Sequence, residues 1–507
     1  MADQSHGYNA SVGYSMGFFR EMAPDWMDFC VCAKGFEPHR AGPAYRYLDL
    51  GCGQGFHVCL LAAANPRAEF VGIDFLAEHI AHASDLAAAA GLTNVRFLQA
   101  DLLDLASTWP TELRTFDYIV LQGILSWVSP SVRAAAIRCI AQASQDGTLV
   151  YFGYNMVPKW LSSIPFQHVA NRIRQTTDDI SAIEQAAALF QRLQGANAPI
   201  FASLPGLKTR IEGLPKHPKN YLAHEYLTDH WTLFWHSQLA DELQAADLSY
   251  VAPATVAETL LPASLPSSLR EIVESTEDQG LAEDVQGLML NQGFRRDIFA
   301  RGLSPAEGGA DFDVDAPIHL MIPPQEGRNV DFQTSIGGMT VEYAVVADIV
   351  AALLDGPKPA GELLALANPT RRDTRQILLL MLEANMLAVG ARQPSDPAIA
   401  HRFNAAVARG ASEGIQYRYV AAANLGTGIS VSELDLLFID TWIEAGGAID
   451  VHRLAAGVSQ RLKTLDRQLT FVGRPVGQAE LDARIAEIAT IFLEQMVPQW
   501  RRVGVLE

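Results

Sequence analysis

The sequence contains little that would place this chain in a membrane, in a secretory pathway or on a nucleic acid. Its 507 residues include no apolar run of about 18 residues, so no membrane insertion is predicted. The N-terminal segment lacks a charged start followed by a continuous apolar core, which predicts no signal peptide. No long cluster of lysine and arginine occurs, and the formal charge of −19 would repel phosphate backbones. Nucleic-acid substrates are therefore disfavoured.

Cysteine is scarce as well. The five cysteines stand at positions 30, 32, 52, 59 and 139, all in the first third of the chain. Their odd number and the absence of a paired framework predict reduced thiols in a cytoplasmic protein. Cys30 and Cys32 are too close for the usual zinc knuckle and no second pair follows, so no metal site is predicted.

What the chain has in excess is negative charge. Its 57 acidic residues outnumber 38 basic ones, and such a surface attracts cations. A lysine-bearing protein or a cationic small molecule such as a polyamine is therefore a predicted partner. A role of the charge in solubility alone stays open.

One glycine-rich segment organises the first third of the sequence. Tyr45–Leu50 is apolar enough for a buried strand and His57–Ala64 has the pattern of a helix, with glycines 51, 53 and 55 in the turn between them. Glycine lets a ligand approach the backbone, and a helix start offers free N–H groups. Asp49 would repel a pyrophosphate but attract the cationic amino group of S-adenosylmethionine (SAM). The pattern D-x-G-x-G-x-G thus favours SAM, although an ordinary tight turn would also fit it.

Four further strands are predicted after this turn, and two of them end in aspartate. The strands are Glu69–Asp74, Val95–Asp101, Phe116–Gly123 and Gly147–Asn155, with a helix at Ser131–Ala143. This order predicts a parallel, doubly wound α/β sheet whose ligands lie at the carboxyl ends of the strands. There Asp74 could bind the ribose hydroxyls, while Asp101 and the backbone N–H of Leu102 could bind adenine. Each aspartate could instead be a plain helix cap.

These motifs resemble those of class I SAM-dependent methyltransferases. More narrowly, four segments resemble methyltransferases that carry a methyltransferase regulatory domain, a group that includes lysine methyltransferases of rickettsial outer-membrane proteins. The segments are Tyr8-Asn9 with Tyr14-Ser15, Gly123-x-x-Ser126-Trp127-Val128, Tyr154-Asn155-x-x-Pro158-x-Trp160 and His224-Glu225-Tyr226-Leu227. The likeness covers roughly residues 5 to 300. Gln122 stands where the family pattern has His, and Lys159 where it has Gly, both beside the expected substrate.

The resemblance and the residue chemistry together define the predicted sites. SAM is the predicted cofactor, and its predicted ligands are Tyr8, Tyr14, Asp49, Gly51, Cys52, Gly53, Gly55, Asp74, Phe75, Asp101, Leu102 and Gln122. Predicted catalytic residues are Tyr14, Trp127, Tyr154, Asn155 and His224, and predicted substrate contacts are Trp127, Trp160 and Glu225. The aromatic residues could equally be core, and His224 a structural histidine.

The remaining chain predicts a Rossmann-like seven-stranded methyltransferase sheet with added helical parts. Residues 1–159 would form the SAM-binding core with an N-terminal lid, 160–222 a helical insertion, and 223–303 the rest of the sheet, with strands at Leu248–Ala252 and Phe294–Arg301. An apolar stripe on the insertion could be core or a homodimer contact. Residues 304–317 would be a linker, and 318–507 a mainly helical C-terminal domain whose first half resembles a winged helix.

A methyl transfer to lysine is the function that this sequence favours. Lysine must first lose a proton, which with a reference pKa near 10.4 costs about 4.6 kcal/mol at pH 7, so aromatic walls that lower this pKa are expected. A small-molecule O- or N-methyltransferase, in which His224 could act as base, is one alternative. A SAM-binding regulatory protein without catalysis is the other.

Overall fold

Seven strands form the central sheet of the computed structural model, in the order β3-β2-β1-β4-β5-β7-β6. The structure describes residues 16–39, 42–306, 312–366, 373–467 and 478–507, together with two short strands at 470–471 and 474–475. The sheet strands are β1 Arg46–Leu50, β2 Glu69–Asp74, β3 Val95–Gln99, β4 Phe116–Gln122, β5 Ser144–Asn155, β6 Ser249–Pro253 and β7 Phe294–Ala300. Strand β7 runs antiparallel to both β5 and β6. The predicted seven-stranded α/β sheet is confirmed, but its pattern did not reveal the reversed direction of β7.

Helices cover both faces of this sheet, because the strands are apolar on both sides. The helices that accompany β1 to β5 are α1 Pro24–Ala33, α2 Phe56–Ala64, α3 Ala77–Ala89, α4 Leu102–Ser107 and α5 Pro130–Ala143. Tyr47 and Tyr151 belong to the core on one face, and Leu48 and Val150 to the core on the other. Adjacent strand residues therefore point to opposite faces of the sheet. This alternation determines which side chains reach the candidate active site described below.

The helical insertion has a core of its own. Its helices are α6 Val157–Trp160, α7 Ile164–Arg174, α8 Asp179–Gly195, α9 Ile200–Ser203, α10 Pro205–Gly213 and α11 Lys219–Tyr226. In the predicted apolar stripe Ile183 and Phe190 are buried with Phe166 inside the insertion. Leu189, Leu193 and Tyr221 stay exposed, so a homodimer contact on this unit remains a prediction.

The chain then returns to the sheet and continues into its C-terminal third. The connecting helices are α12 His236–Gln244, α13 Ser267–Glu274 and α14 Gln279–Leu290. Phe312 and Ala316, in the second half of the predicted linker, are buried, and residues 307–311 lie outside the described chain. The linker therefore stays a prediction.

The C-terminal third is mainly helical, with several short strands that the sequence pattern did not predict. The strands are β8 Pro317–Leu320, β9 Val330–Thr334, β10 Gly337–Val341, β11 Lys358–Pro359, β12 Leu387–Val389, β13 Tyr419–Ala422, β14 Thr427–Ser430, β15 Thr470–Phe471 and β16 Arg474–Pro475. The helices are α15 Ala347–Leu353, α16 Ala360–Leu364, α17 Thr374–Glu383, α18 Ala398–Ser412, α19 Glu433–Glu444, α20 Val451–Thr464, α21 Gln478–Ile491 and α22 Val497–Val503. The resemblance of the first half of this third to a winged helix stays a prediction. None of the described helices is long and apolar enough to cross a membrane.

The C-terminal third packs directly on the helix that follows the glycine-rich turn. The ring of Tyr417 stacks on Phe56, the first residue of α2, with 5.0 Å between ring centroids. At the other end of α2, Asn65 Nδ2 donates a hydrogen bond of 2.8 Å to the Gly426 carbonyl. The position of α2, and with it the turn, is therefore supported by residues more than 300 positions away in the sequence.

Candidate active site

A cavity of about 640 Å³ lies along the edge of the sheet where the parallel strands end. This volume is in the range of about 300–1,000 Å³ that is typical of ligand pockets. The predicted site residues that line it are Gly51, Gly53, Asp74, Phe75, Asp101, Leu102, Gln122, Trp127, Asn155, Trp160, His224 and Glu225. The structure thus brings most of the predicted site into one cavity. Tyr8 and Tyr14 lie outside the described residues.

The glycine-rich turn forms one end of this cavity. Gly51, Gly53 and Gly55 have φ angles of +84°, +54° and +70°, which L side chains rarely adopt. A Cβ on Gly51 would collide with Ile124, and one on Gly55 with Ala83, whereas one on Gly53 would meet nothing within 4 Å. Gly53 therefore borders open space and leaves room for a ligand above the turn. Gly55 instead serves the close packing of α2 and does not line the cavity.

Asp49 lies beneath the turn rather than in the lining of the cavity. It is buried, and this burial together with the neighbouring Asp74 charge raises its pKa to about 8. A cation bound above the turn would favour the ionised form of Asp49. Cys52, the residue within the turn, also lies outside the lining, and burial raises the pKa of its thiol.

Asp74 ends β2 and is held by several donors. Its Oδ2 accepts a hydrogen bond of 2.9 Å from the Gly53 N–H, and its Oδ1 accepts one of 2.9 Å from the Leu76 N–H. His79 Nδ1 lies 3.2 Å from Oδ1 and was not predicted to belong to the site. These three contacts fix the carboxylate at the cavity wall and leave about one of its four acceptor positions for a ligand hydroxyl.

Asp101 is both a helix cap and a cavity residue. Its Oδ1 accepts a hydrogen bond of 2.8 Å from the Leu103 N–H at the start of α4. The two interpretations that the sequence left open are therefore compatible, since the capping carboxylate also lines the cavity beside Leu102. Between this end and the other, Gln122 lines the cavity, and its Oε1 accepts a hydrogen bond of 2.7 Å from the Tyr151 hydroxyl.

The other end of the cavity combines aromatic rings with a buried amide and carboxyl pair. Asn155 Nδ2 donates a hydrogen bond of 3.0 Å to Glu225 Oε1, and burial raises the pKa of Glu225. Trp160 is fixed by a 2.8 Å hydrogen bond from its Nε1 to the Gly293 carbonyl. His224 and Trp127 also line this part. Such a pocket suits an amine or another small polar group between apolar walls.

Tyr154 is a predicted catalytic residue that the structure places away from this cavity. It precedes Asn155 in β5, so the two side chains point to opposite faces of the sheet. The Tyr154 hydroxyl donates a hydrogen bond of 2.6 Å to Asp297 Oδ2 and lies 3.3 Å from His236 Nδ1. Strand alternation alone could have shown that Tyr154 and Asn155 do not share one pocket.

Several lining residues were not predicted to belong to the site, and all but one of them had no signal in the sequence. They come from segments far apart in the chain and include Phe19, Lys159, Arg210, Glu258, Gln292, Arg296 and Ser335. Glu258 follows β6, and Ser335 stands at the tip of the hairpin formed by β9 and β10. Only the folded chain brings these positions to one wall. Lys159 is the exception, because its departure from the family pattern pointed to this region.

Comparisons with known proteins agree with this geometry. Residues 41–150 match a family model described as a methyltransferase domain, and residues 218–301 match one described as a predicted methyltransferase regulatory domain. The uncharacterized protein sll1526 of Synechocystis is 30% identical over 455 residues, which are 86% of this chain and 87% of that protein. The uncharacterized protein RP789 of Rickettsia prowazekii is 26% identical over 262 residues, which are 49% of this chain and 45% of that protein.

A solved structure matches almost the whole fold. PKMT2 from Rickettsia typhi, in complex with AdoHcy, superposes with a TM-score of 0.71 over 97% of this chain and 99% of that one. The two sequences are 16% identical. The likeness therefore concerns the fold, including the helical insertion and the C-terminal third.

Proposed function

This chain belongs to the methyltransferases that combine a methyltransferase domain with a methyltransferase regulatory domain, and we propose that it methylates lysine side chains of a protein. One observation carries the proposal. A single cavity has carboxylates and a glycine-rich turn at one end and an amide, a carboxyl group and two tryptophans at the other. The first end suits the cofactor and the second suits an amine.

SAM is the cofactor, and the residues at the first end fit it. Asp49 carries a buried carboxyl group that a neighbouring cation would ionise, which suits the amino group of SAM. Asp74 is held in place to accept from a ribose hydroxyl. Asp101 and Leu102 would bind the adenine, and the open space over Gly53 leaves room for close approach. When bound, SAM supplies an electrophilic methyl group on a sulfonium.

The chain's own residues would prepare the acceptor. Nδ2 of Asn155 already donates a hydrogen bond to Glu225. The amide oxygen of Asn155 is therefore the atom that can accept a hydrogen bond from an N–H of the amine. Trp127 and Trp160 supply apolar walls that disfavour the charged ammonium and lower its pKa. Orientation of the lone pair and exclusion of water are then the main contributions of the protein to the rate.

Transfer of labelled methyl groups tests this function. The full-length chain would be incubated with SAM labelled in its methyl group and with the protein and small-molecule fractions of cells that lack the gene. We expect label in protein, stable to base as an N-methyl group is. The Asp74→Ala variant is the control and should transfer little, because its cofactor site is damaged.

Two results would contradict the lysine proposal. Label confined to small molecules would support methylation of a small oxygen or nitrogen acceptor. No label in either fraction, while the protein still binds SAM, would support a regulatory protein without catalysis. In both cases the proposal of a protein acceptor would be abandoned.

A further inference from the structure

Glu258 is a buried carboxyl group in the cavity wall that no motif predicted. It stands just after β6, at the opposite end of the sheet from the cofactor carboxylates at β2 and β3. Only 7% of its surface is exposed. It lines the large cavity and also a small second cavity behind it, which Lys34 and Glu283 border. Glu258 is therefore largely shielded by protein but open to a ligand in the large cavity.

The groups that face Glu258 come from three elements besides its own. Strand β7 contributes the charged side chains of Arg295, Arg296 and Asp297. The end of α17 contributes the carboxyl group of Glu383. The Ser335 side chain, from the β9–β10 hairpin, is hydrogen-bonded to Glu258. The two arginines and the serine favour the carboxylate, while burial, Asp297 and Glu383 disfavour it. Burial is the largest of these influences and raises the pKa of Glu258 to about 7.

A row of polar side chains connects Glu258 with the middle of the cavity. Arg296 is hydrogen-bonded to Tyr151, whose hydroxyl donates to Gln122 at the end of β4. Gln122, Arg296, Glu258 and Ser335 all line the cavity. Gln292 Oε1 is a buried acceptor with no hydrogen-bond partner among the described residues, and its side chain also belongs to this wall. The wall thus offers a carboxylate and a spare acceptor to a ligand that donates hydrogen bonds.

We propose that this wall receives the lysine ammonium on its way to Asn155 and that Glu258 accepts the proton which the ammonium must lose. The inference rests on the proposed function. One N–H bond of the ammonium breaks, its electron pair stays on nitrogen as the lone pair, and an O–H bond forms on Glu258. After methylation the product nitrogen is again cationic, and Glu258 returns its proton to solvent when the product leaves. One proton is released per methyl group transferred.

The surroundings explain why proton transfer between these two groups is feasible. In water a lysine with a pKa near 10.4 would not give its proton to a carboxylate with a pKa near 4.3. Burial in the protein penalises both charged forms, so the two pKa values move toward each other. The raised pKa of Glu258 agrees with this. Glu225 is less suited, because both Asn155 and Tyr221 are hydrogen-bonded to it. Glu258 has Ser335 as its one side-chain partner of this kind among the described residues.

The pH dependence of methyl transfer in the Glu258→Gln variant tests this inference. In the wild-type chain, kcat/KM for the protein acceptor should rise with pH through about 7 as Glu258 ionises. Glu258→Gln should lower kcat on the order of 100-fold and abolish that rise. Binding of AdoHcy, measured by calorimetry, should stay unchanged. Glu271→Gln, on an exposed residue of α13, is the matched control and should behave as wild type.

Ser335→Ala provides a second variant that leaves the carboxyl group in place. The hydrogen bond from Ser335 lowers the pKa of Glu258, so its loss should move the rise in kcat/KM to higher pH. Wild-type pH profiles in both variants would overturn the inference while leaving the lysine methyltransferase in place. Absence of transfer to protein by the wild type would instead overturn the proposed function, and the inference with it.

Discussion

The two ends of the cavity are built in different ways. The cofactor end comes from one stretch of the chain, from Asp49 to Leu102, in which successive strands carry their carboxylates to the same edge. The acceptor end comes from β4 and β5, the insertion, the segment after β6, the start of β7 and the β9–β10 hairpin. In the assignment proposed above, a local motif binds the cofactor, and a surface assembled from distant segments binds the acceptor. Changes at one end should therefore affect cofactor binding and changes at the other the acceptor.

The largest effect is expected at Asp74. In Asp74→Ala a ribose hydroxyl would lose a charged acceptor, and each such hydrogen bond contributes about 1.5–3 kcal/mol. The loss of one corresponds to a decrease of about 10- to 100-fold in the affinity for AdoHcy, which calorimetry can measure. Asp74→Asn keeps the shape of the side chain and should lose less affinity for AdoHcy. An affinity within about threefold of wild type in the alanine variant would show that the cofactor lies elsewhere.

The next largest effect is expected at Asp49, in the pH dependence of the affinity for AdoHcy. The folded pKa of Asp49 is raised to about 8 from its usual 3.8, so the free protein holds this proton up to that pH. Binding of a cationic amino group must release it, and affinity for AdoHcy should rise up to about tenfold per pH unit between pH 6 and 7.5. Between about pH 4 and 8 the folded protein holds this proton and the unfolded chain does not. Asp49 therefore makes the free protein less stable as the pH rises through this range.

Asp49→Asn separates this effect from other titrations. Calorimetry between pH 6 and 7.5 should show weaker binding of AdoHcy with a flatter pH dependence. Equal pH dependence in the variant and the wild type would contradict the assignment of Asp49 to the amino group.

A smaller effect is expected at Trp127, on the acceptor side. Trp127→Ala removes an apolar wall for the lysine side chain, and the loss of about two buried methylene contacts at about 0.8 kcal/mol each should raise KM for the acceptor by about tenfold. Affinity for AdoHcy should change little, since the carboxylates and the turn are untouched. Steady-state kinetics and calorimetry together measure this. A loss confined to cofactor affinity would reverse the assignment of the two ends.

The smallest effect on transfer is expected at Tyr154. Tyr154→Phe removes the hydroxyl that donates to Asp297, on the far side of β5 from the cavity. We expect a loss of stability of about 1 kcal/mol in denaturant unfolding and transfer close to wild type. Asn155→Ala, one residue further on, should lower transfer clearly. A strong loss of transfer in Tyr154→Phe with normal stability would mean that this tyrosine acts in catalysis.

The sequence predicted most of the residues that line the glycine-rich end of the cavity, because its signals are local. The spacing of Asp49 and the glycines is set by one strand, one turn and one helix, and Asp74 and Asp101 are found by the ends of the next two strands. The motif at the end of β5 did not distinguish Tyr154 from Asn155, although strand alternation turns the Tyr154 side chain away from the cavity. The sequence also left the direction of β7 open, since strand patterns carry no direction.

The acceptor end could not be predicted because its residues share no local pattern. Glu258 is one of many acidic residues, and Ser335 stands in a hairpin whose position beside Glu258 depends on the packing of the C-terminal third. The contact of Tyr417 with Phe56 has the same origin. Long-range packing of this kind leaves no periodicity at the residues that it brings together.

Mass spectrometry of the methylated acceptor is the most direct test of lysine methylation by this cavity. The acceptor protein would be isolated after reaction with labelled SAM and digested, and the modified residue located. We expect the label on the Nε atom of lysine, in amounts that fall to background with Asp74→Ala. Label on an oxygen atom or on another side chain, again dependent on Asp74, would contradict the assignment of an amine site to the acceptor end.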